Sequence, residues 1–337
     1  MSKRPAVLAV DGGGSKVDAT IVDRSGSVRA AVRIVSTDHD GSHSLSYLEG
    51  VAAGVQAVAT AAGLRPQTGS LATLGVYCLA GADLPADDRR LVRWLAKQRW
   101  TDSDLLRNDT FAVLRSGTDR TWGVGVVCGF GTNCSGIAPD GRVFRFPAIG
   151  RISGDWGGGM DVGETALWYA MRARDGRGPS TTLARLVPEY LGLRTPRQVM
   201  EAIYFGRMRP ERLVELPTIV FRAAAEGDAA AASIVDHQAD EIIAMAGAAI
   251  RKLKMAKLDV HVVLGGGIFR NDHRPFFDRI EQGLRRVAPR VRITALKVPP
   301  VLGAALLGLD RLGASERAKM QVRDRLTHDG LSQMPVG

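Results

Sequence analysis

The sequence predicts an α/β protein made of two similar halves. The chain has 337 residues, too many for most single hydrophobic cores, so we expect two domains. Runs of β-forming residues alternate with helical patterns, and one plan of strand, glycine-rich turn and strand occurs twice. Hydrophobic and charged residues make up 45% and 24% of the chain, which are ordinary globular values.

The first copy of this plan lies in "VLAVDGGGSKVDATIVDRSGSVRA", close to the N-terminus. Apolar runs at Val7–Val10, Val17–Val22 and Val28–Ile34, separated by turn residues, predict a meander of short antiparallel strands. The glycines at 12–14 lie in the first turn, where glycine permits positive φ and a close backbone approach to a small ligand. Asp11 beside a ring of backbone N–H groups is a candidate corner for phosphate and Mg²⁺, and an ordinary hairpin loop explains the pattern equally well.

The segment between the two copies alternates helices and strands. Helical patterns at Ser46–Ala62 and Asp87–Arg99 flank a strand at Leu74–Leu79. A short strand at Leu105–Arg107 is followed by a helix from Thr110 onward. We therefore expect the first half to continue as strand–helix units.

The second copy begins with an apolar run at Thr121–Cys128 and continues through "GFGTN" into another β run and the turn "APDG". This internal duplication predicts two phosphate loops, one in each half. The chain then becomes strongly helical, with Asp228–Lys257 as the longest pattern, before the strand "HVVLGGG" at 261–267. After Asp310 we expect a polar tail, with a short helix and a disordered end.

Composition excludes several classes of protein. No run approaches 18 apolar residues, and the N-terminal apolar run meets Asp11 too soon for a signal peptide, so we expect a cytoplasmic protein without a membrane partner. Of the 45 basic residues 37 are arginine, spread along the chain, and the net charge is +10. Because no nucleic-acid-binding module is recognisable, we do not expect a nucleic-acid partner and interpret the charge as a solvated surface that attracts an anionic cofactor.

The glycine-rich motifs resemble those of the acetate kinase, sugar kinase, Hsp70 and actin superfamily. "DGGGS" at 11–15 resembles its first phosphate motif, "GFGTN" at 129–133 its second, and "LGGGIFRN" at 264–271 its adenosine motif. Within that superfamily the chain is similar, from Val7 to Leu307, to the N-acetylglucosamine kinase branch, which is grouped with the BadF/BadG/BcrA/BcrD-type ATPases.

The resemblance implies two ribonuclease-H-like (actin-like ATPase) lobes with an interdomain cleft. We place the N-terminal lobe at 1–115, the C-terminal lobe at 116–312 and a polar tail at 313–337. The resemblance also implies a homodimer.

The resemblance implies ATP and Mg²⁺ as cofactors of a phosphoryl transfer, a reaction that depends on positioning and charge neutralisation. Asp11 would hold Mg²⁺ through its water shell. Lys16 either adds positive charge or points to solvent. The residues expected to bind the cofactors are Asp11, Gly12, Gly13, Gly14, Ser15, Lys16, Gly129, Gly131, Thr132, Gly265, Gly266 and Gly267.

Asp109, in "RNDTF", occupies the position of the family's catalytic aspartate. A sugar hydroxyl is a weak nucleophile at neutral pH, so a carboxylate beside it serves as general base. The structural alternative is that Asp109 is the N-cap of the helix that begins at Thr110.

Three further segments resemble the sugar-binding loops of the family: "STDHD" at 36–40, "AGAD" at 80–83 and "AIGRISGDWGGG" at 148–159. In the second, Asp83 is alternatively a turn residue before Pro85. The residues expected to bind the substrate are Asp38, His39, Gly81, Asn108, Asn133, Ala148, Ile149, Gly150 and Asp155.

Five residues depart from the family pattern, four in the sugar-binding segments and one in the second phosphate loop. Asp38 stands where Asn is usual, which leads to the hypothesis that free glucosamine is tolerated or preferred. Ala148 and Ile149 replace Gly-Trp, and Trp156 replaces Glu. Phe130 replaces the Thr or Ser of the second phosphate loop, a loss for which Thr132 could compensate.

The resemblance implies an ATP-dependent amino-sugar kinase that phosphorylates the 6-hydroxyl of N-acetylglucosamine or glucosamine. One alternative is an ATPase activator of a dehydratase or reductase, with Cys128 and Cys134 as iron–sulfur ligands rather than buried apolar residues. Another is a non-catalytic sugar-binding regulator. Such regulators carry a DNA-binding domain, and only six residues precede the first strand, so we expect no such domain at the N-terminus. The sequence leaves open which amino sugar is used.

Overall fold

The computed structural model describes residues 4–14, 16–35, 45–65 and 70–334, with the backbone alone for residues 45, 46 and 332–334. The strands are β1 (Val7–Gly12), β2 (Lys16–Val22), β3 (Val28–Val35), β4 (Ala72–Leu79), β5 (Thr101–Asn108), β6 (Gly123–Cys128), β7 (Thr132–Ile137), β8 (Val143–Arg145), β9 (His261–Gly265), β10 (Arg292–Ala295) and β11 (Ser332–Met334). The helices are α1 (Leu45–Ala61), α2 (Pro85–Gln98), α3 (Asp109–Gly117), α4 (Gly158–Asp175), α5 (Leu183–Tyr190), α6 (Pro196–Tyr204), α7 (Pro217–Ala225), α8 (Ala229–Lys252), α9 (Arg274–Val287), α10 (Val301–Arg311) and α11 (Glu316–Arg325).

The predicted N-terminal meander is confirmed. Strands β1, β2 and β3 pair antiparallel, with Asp11 opposite Asp18 and Asp18 opposite Arg33. Directly paired residues lie on the same face of a sheet. The register therefore places three charged side chains side by side on that face.

The first sheet has six strands in the order β11-β3-β2-β1-β4-β5. Strand β1 is parallel to β4, and β4 is parallel to β5. Successive residues of β1 belong to opposite cores: Val7 and Ala9 pack with α10 and α11, whereas Leu8 and Val10 pack with α1 and α2. Because both faces of the sheet are covered by helices, β1 is apolar at every position until Asp11.

The second sheet has five strands in the order β10-β9-β6-β7-β8. Helix α8, predicted from the longest helical pattern, packs against α4, α7 and α9. Its side chains Ala239, Ile242, Ala246 and Ile250 are fully buried. A helix with so wide an apolar surface is an interior element of its unit.

Contacts divide the chain into two compact units. The first contains residues 1–125, 135–147 and 294–337, and the second contains 126–134 and 148–293. The short helix predicted in the polar tail is confirmed as α11, but the tail also contains β11, and Val322 and Leu326 are fully buried in the first core. Within the described ranges, no helix is both long and apolar enough to cross a membrane.

Candidate active site

Two carboxylates of the first unit lie at one edge of the first sheet. Asp11 is near the end of β1, and Asp109 is the first residue of α3, directly after β5. Gly12 is paired with Leu79 of β4, and Leu79 is paired with Asn108 of β5, so the three parallel strands end in one row. Ligands of open α/β sheets bind at the carboxyl ends of the strands, which makes this edge the candidate site.

Burial and mutual repulsion raise the pKa values of these acids. Burial raises the pKa of Asp11, and Lys16 partly offsets the rise. Burial raises the pKa of Asp109 to about 8, and the negative charges of Asp11 and Asp83 add to the effect. Strongly perturbed acids that lie together are typical of functional sites, because fold stability gains nothing from them.

Lys16 points to the carboxylates and not to solvent. Its Nζ lies 3.3 Å from Oδ2 of Asp11 and 2.6 Å from Oδ2 of Asp18. Asp18 is fully buried and accepts two hydrogen bonds of 2.7 Å from the guanidinium of Arg33. Burial acts to raise the pKa of Asp18, but the bonds and charges of Arg33 and Lys16 outweigh it and the pKa is lowered. Asp18 therefore stays ionised and fixes Lys16 beside Asp11.

Tyr47 of α1 supports the first glycine turn. Its hydroxyl donates a hydrogen bond of 2.9 Å to the carbonyl of Gly12. A Cβ at Gly12 would lie 2.8 Å from Leu79 Cδ2 and 2.9 Å from the Tyr47 oxygen, so no side chain fits. Burial and the charges of Asp109, Asp11 and Asp83 raise the pKa of Tyr47 well above its ordinary value. Tyr47 was not predicted as a site residue, because a tyrosine on an apolar helix face indicates only a core position.

Asn108 caps helix α3, and the alternative role of Asp109 as N-cap is therefore wrong. The helix begins at Asp109, one residue earlier than predicted. Oδ1 of Asn108 accepts hydrogen bonds from the backbone N–H of Thr110 at 3.1 Å and from its hydroxyl at 2.6 Å. Nδ2 of Asn108 donates to Oδ1 of Asp83 at 2.9 Å. Gly81, predicted to bind substrate, is buried and has a left-handed φ of +77°.

The second glycine loop, residues 129–131, lies in the second unit against the start of α4. The carbonyls of Gly129 and Phe130 accept hydrogen bonds from the N–H groups of Gly159 at 2.8 Å and Met160 at 3.0 Å. The Phe130 side chain is 40% exposed. The loop is thereby fixed by backbone contacts and not by its own side chains.

Contacts from Gly158 and Gln238, neither of which was predicted as a site residue, hold this loop. Gly158 has a φ of +80°, and a Cβ there would lie 2.4 Å from backbone atoms of Gly131. The fully buried Gln238 of α8 accepts a hydrogen bond of 2.7 Å from the N–H of Gly158. Thr132 donates to the sulfur of Cys128 at 3.5 Å. The triple glycine at 157–159 was the available sequence signal, whereas the glutamine lies 80 residues away and gives none.

The glycines at 265–267 lie where β9 ends and a short 3₁₀ helix begins. Gly266 has a φ of +111°, and a Cβ there would lie 2.2 Å from the carbonyl oxygen of Cys128. Gly267 is exposed, and a side chain there would meet no described atom within 4 Å. Packing thus requires the first of these two glycines but not the second.

The predicted sugar-binding segment at 148–156 is held by its own hydrogen bonds. The hydroxyl of Ser153 donates to Oδ2 of the buried Asp155 and accepts from the N–H of Ile149 at 3.1 Å. Ala148 and Gly150 have φ values of +49° and +84°. Trp156 stacks on His237, with ring centroids 4.1 Å apart and planes inclined by 10°.

The remaining predicted ligands are Asn133, which belongs to the second unit, and three residues outside the described ranges. Asn133 accepts a hydrogen bond of 2.7 Å from the N–H of Cys134 through its side chain. Ser15, predicted to contact nucleotide, and Asp38 and His39, predicted to contact sugar, lie outside the described residues.

A family model and two curated relatives match most of the chain. The model of the "BadF/BadG/BcrA/BcrD ATPase family" matches residues 8–308. The chain belongs to this family. An N-acetylmuramic acid/N-acetylglucosamine kinase of Clostridium acetobutylicum is 26% identical to this chain over 240 residues. That alignment covers 71% of this chain and 78% of the relative. An N-acetyl-D-glucosamine kinase of Dictyostelium discoideum is 26% identical over 314 residues, 90% of the chain and 97% of the relative.

A solved structure confirms the fold of this family member. A provisionally named N-acetylglucosamine kinase from Chromobacterium violaceum superposes with a TM-score of 0.71 at 23% identity, covering 90% of this chain and 99% of that one. The prediction of two ribonuclease-H-like halves of the actin-like ATPase type is thereby confirmed, as is the predicted family. The curated relatives carry the names of sugar kinases, in agreement with the predicted class of enzyme.

Proposed function

We propose that the chain is an ATP-dependent amino-sugar kinase that phosphorylates the 6-hydroxyl of N-acetylglucosamine or glucosamine. The observation that carries the proposal is Asp109, whose pKa of about 8 lies close to neutral pH. A general base works best when its pKa is near the operating pH. Because Asn108 supplies the helix cap, the Asp109 carboxyl is available for chemistry.

In the proposed reaction Asp109 accepts the proton of the sugar hydroxyl as that oxygen attacks the γ-phosphorus of ATP. The bond between the γ-phosphorus and the bridging oxygen breaks, and ADP leaves with both electrons of that bond. Lys16, held between Asp11 and Asp18, supplies positive charge at the same edge of the sheet. The names of the two curated relatives support an amino sugar as the acceptor.

The donor set at this edge fits a magnesium ion bound together with nucleotide. Among the described residues no group of three acidic, histidine or cysteine side chains could hold a metal alone. Mg²⁺ bound with ATP takes its ligands from phosphates, waters and one or two carboxylates, which Asp11 would contact through water. Burial is the largest cause of the raised pKa values of Asp11 and Asp109, and the positive charge of a bound ion would lower both. When bound, the ion would neutralise developing phosphate charge.

The activator alternative receives no support from the cysteines. Cys78, Cys128 and Cys134 are all buried. Burial raises the pKa of Cys128 to about 12 and raises the pKa of Cys134 as well. Iron–sulfur clusters bind thiolates, which these sites disfavour.

The predicted homodimer and the domain boundaries at 115 and 312 stay predictions.

The first test is ADP release from Mg²⁺-ATP with glucose, glucosamine, N-acetylglucosamine, N-acetylmuramic acid and mannosamine. We expect one amino sugar to give strong turnover, and Asp109→Asn to lower it by roughly 10²–10⁴-fold while ATP still binds. Asp104→Asn, an exposed acid on β5, is the matched control and should keep full turnover. Normal turnover by the Asp109 variant would refute the base, and no response to any sugar would refute the kinase.

The same assay tests the proposed preference for the free amine. Asp38 would accept hydrogen bonds from sugar hydroxyls and favour a cationic amine. Asp38→Asn should therefore lower the ratio of the glucosamine rate to the N-acetylglucosamine rate. An unchanged ratio would contradict this assignment without affecting the role of Asp109.

A further inference from the structure

The positive charge of the chain is concentrated in two segments of the second unit. Residues 251–257, "RKLKMAK", and residues 285–292, "RRVAPRVR", contain eight basic and no acidic residues. The net charge of the whole chain is +10, so these 15 residues carry most of it. The charge appears dispersed in the sequence because 27 residues separate the two segments.

The fold brings these two segments together. The guanidinium of Arg290 donates to the carbonyl of Lys257, and Arg292 lies 3.8 Å from Asp259. A Cβ at Gly247 would touch both the Arg251 guanidinium and Val287, so α8 and α9 end side by side. We call the eight basic residues of the two segments the basic face.

The basic side chains of this face all point outward. In the first segment Leu253 and Met255 are buried, whereas Arg251, Lys252 and Lys254 are exposed. In the second, Ala288 and Val291 are buried and the four arginines are exposed. The buried apolar residues anchor each segment and fix the direction of the charges.

Local structure explains only part of this arrangement. Arg251, Lys252, Arg285 and Arg286 lie in the last turns of α8 and α9, where cations offset the helix dipole. The other four basic residues lie beyond the helix ends. Within the part of the chain that the structure describes, Lys252, Lys254, Lys257 and Arg286 make no ion pair, which leaves a concentration of like charge for an external anion.

We propose that the basic face binds the phosphate backbone of duplex nucleic acid without sequence preference. This inference goes beyond the proposed kinase and does not depend on it. Arginine and lysine side chains that neutralise phosphates supply nearly all of the affinity of such binding. Five of the eight residues are arginines, which bind phosphate bidentately.

The composition of the face favours a duplex over a membrane or a single strand. In the described structure no large apolar side chain of either segment is exposed. Peripheral membrane binding combines charge with inserted apolar or lipid groups, and single-strand binding uses aromatic side chains on which bases stack. The basic face offers charge alone, which suits a regular array of phosphates.

The test is binding of the full chain to a short labelled DNA duplex of arbitrary sequence, measured across a salt series. We expect the quadruple variant K252Q/K254Q/K257Q/R286Q to reduce the slope of log affinity against log salt by roughly 3 to 4. The matched control K97Q/R89Q/R93Q/R317Q removes the same charge from exposed positions of α2 and α11 and should change the slope by less than one unit. Thermal melting and ATP binding check that both variants are folded.

Three outcomes would overturn the proposal. The unmodified chain could fail to bind the duplex even at low salt. Both variants could lose affinity equally, which would assign the effect to net charge. Vesicles containing phosphatidylserine could bind more tightly than the duplex through the same four residues, which would make the face a membrane surface.

Discussion

Removal of the Asp109 charge should stabilise the protein while it lowers turnover. The pKa of Asp109 is raised from 3.8 to about 8 in the folded chain, chiefly by burial. Below about pH 4 the carboxyl is protonated in both the folded and the unfolded states, so folding is not penalised. As the pH rises toward 8 the unfolded chain loses this proton and the folded chain keeps it, so stability falls.

The size of this effect follows from the pKa shift. Each unit of pKa difference corresponds to about 1.4 kcal/mol, so about 4 kcal/mol of unfolding free energy would be lost between about pH 5 and pH 8. The Asp109 side chain is partly exposed, and water screens part of this penalty. We therefore expect the stability advantage of Asp109→Asn to grow by about 2 kcal/mol across that interval.

The assay is urea unfolding monitored by circular dichroism at about pH 5 and about pH 8, with a chelator present and without nucleotide. The control variant is Asp104→Asn, because Asp104 is exposed on β5 of the same unit. The variant of Asp109 should show a flatter dependence of stability on pH than the control. Equal pH dependence of the two variants would refute the assignment of a raised pKa to Asp109.

Four further predictions concern the same elements. The value of kcat/KM for sugar should rise with pH through an apparent pKa near that of Asp109, about 8, in a pH–rate profile. Gly158→Ala should raise the KM for ATP several-fold and cost at least about 1–2 kcal/mol in urea unfolding, since φ is +80° there and the new Cβ would meet Gly131. The control Gly176→Ala, where φ is similar and a Cβ would meet no described atom, should leave the KM unchanged. Asn108→Ala should cost about 0.5–2 kcal/mol by loss of the α3 cap, and Asn108→Ser should recover most of it in the same assay. Arg33→Met should destabilise the chain by up to about 3 kcal/mol, because it removes one partner of the buried Asp18, and the double variant Arg33→Met/Asp18→Asn should recover part of that loss.

The first strands of the first sheet could be predicted because their residues have both the β-propensity of a strand and the apolar character of a buried sheet. The apolar runs at 7–10, 17–22 and 28–34 are separated by turn residues, and the observed strands differ from them by at most two residues at either end. Strand β5 was predicted as 105–107 but spans Thr101–Asn108, because its first half is polar and exposed at the edge of the sheet. Pairing with β4 overrides the weak β-propensity of that half.

The site was predictable where short motifs carry it and unpredictable where distant residues meet. Asp11 and Asp109 follow from local motifs, and the structure brings both to one sheet edge. Tyr47 and Gln238 reach their glycine turns from helices 35 and 80 residues away, and each resembles an ordinary helix residue in the sequence. The basic face escaped notice for the same reason, since the contact between its two segments depends on the packing of α8 on α9.

The glycines of the motifs separate into those that packing requires and those that it does not. Gly12 and Gly266 face neighbouring atoms that exclude any Cβ. Gly129, Gly131 and Gly267 do not have a positive φ, and a Cβ at any of them would meet no described atom within 4 Å. If the fold alone set these positions, larger residues would be tolerated there. Packing therefore gives no reason for glycine at these three positions, whereas a close backbone approach to a phosphate or a nucleoside would, so these three glycines support the proposed nucleotide-binding role more strongly than the packed ones do.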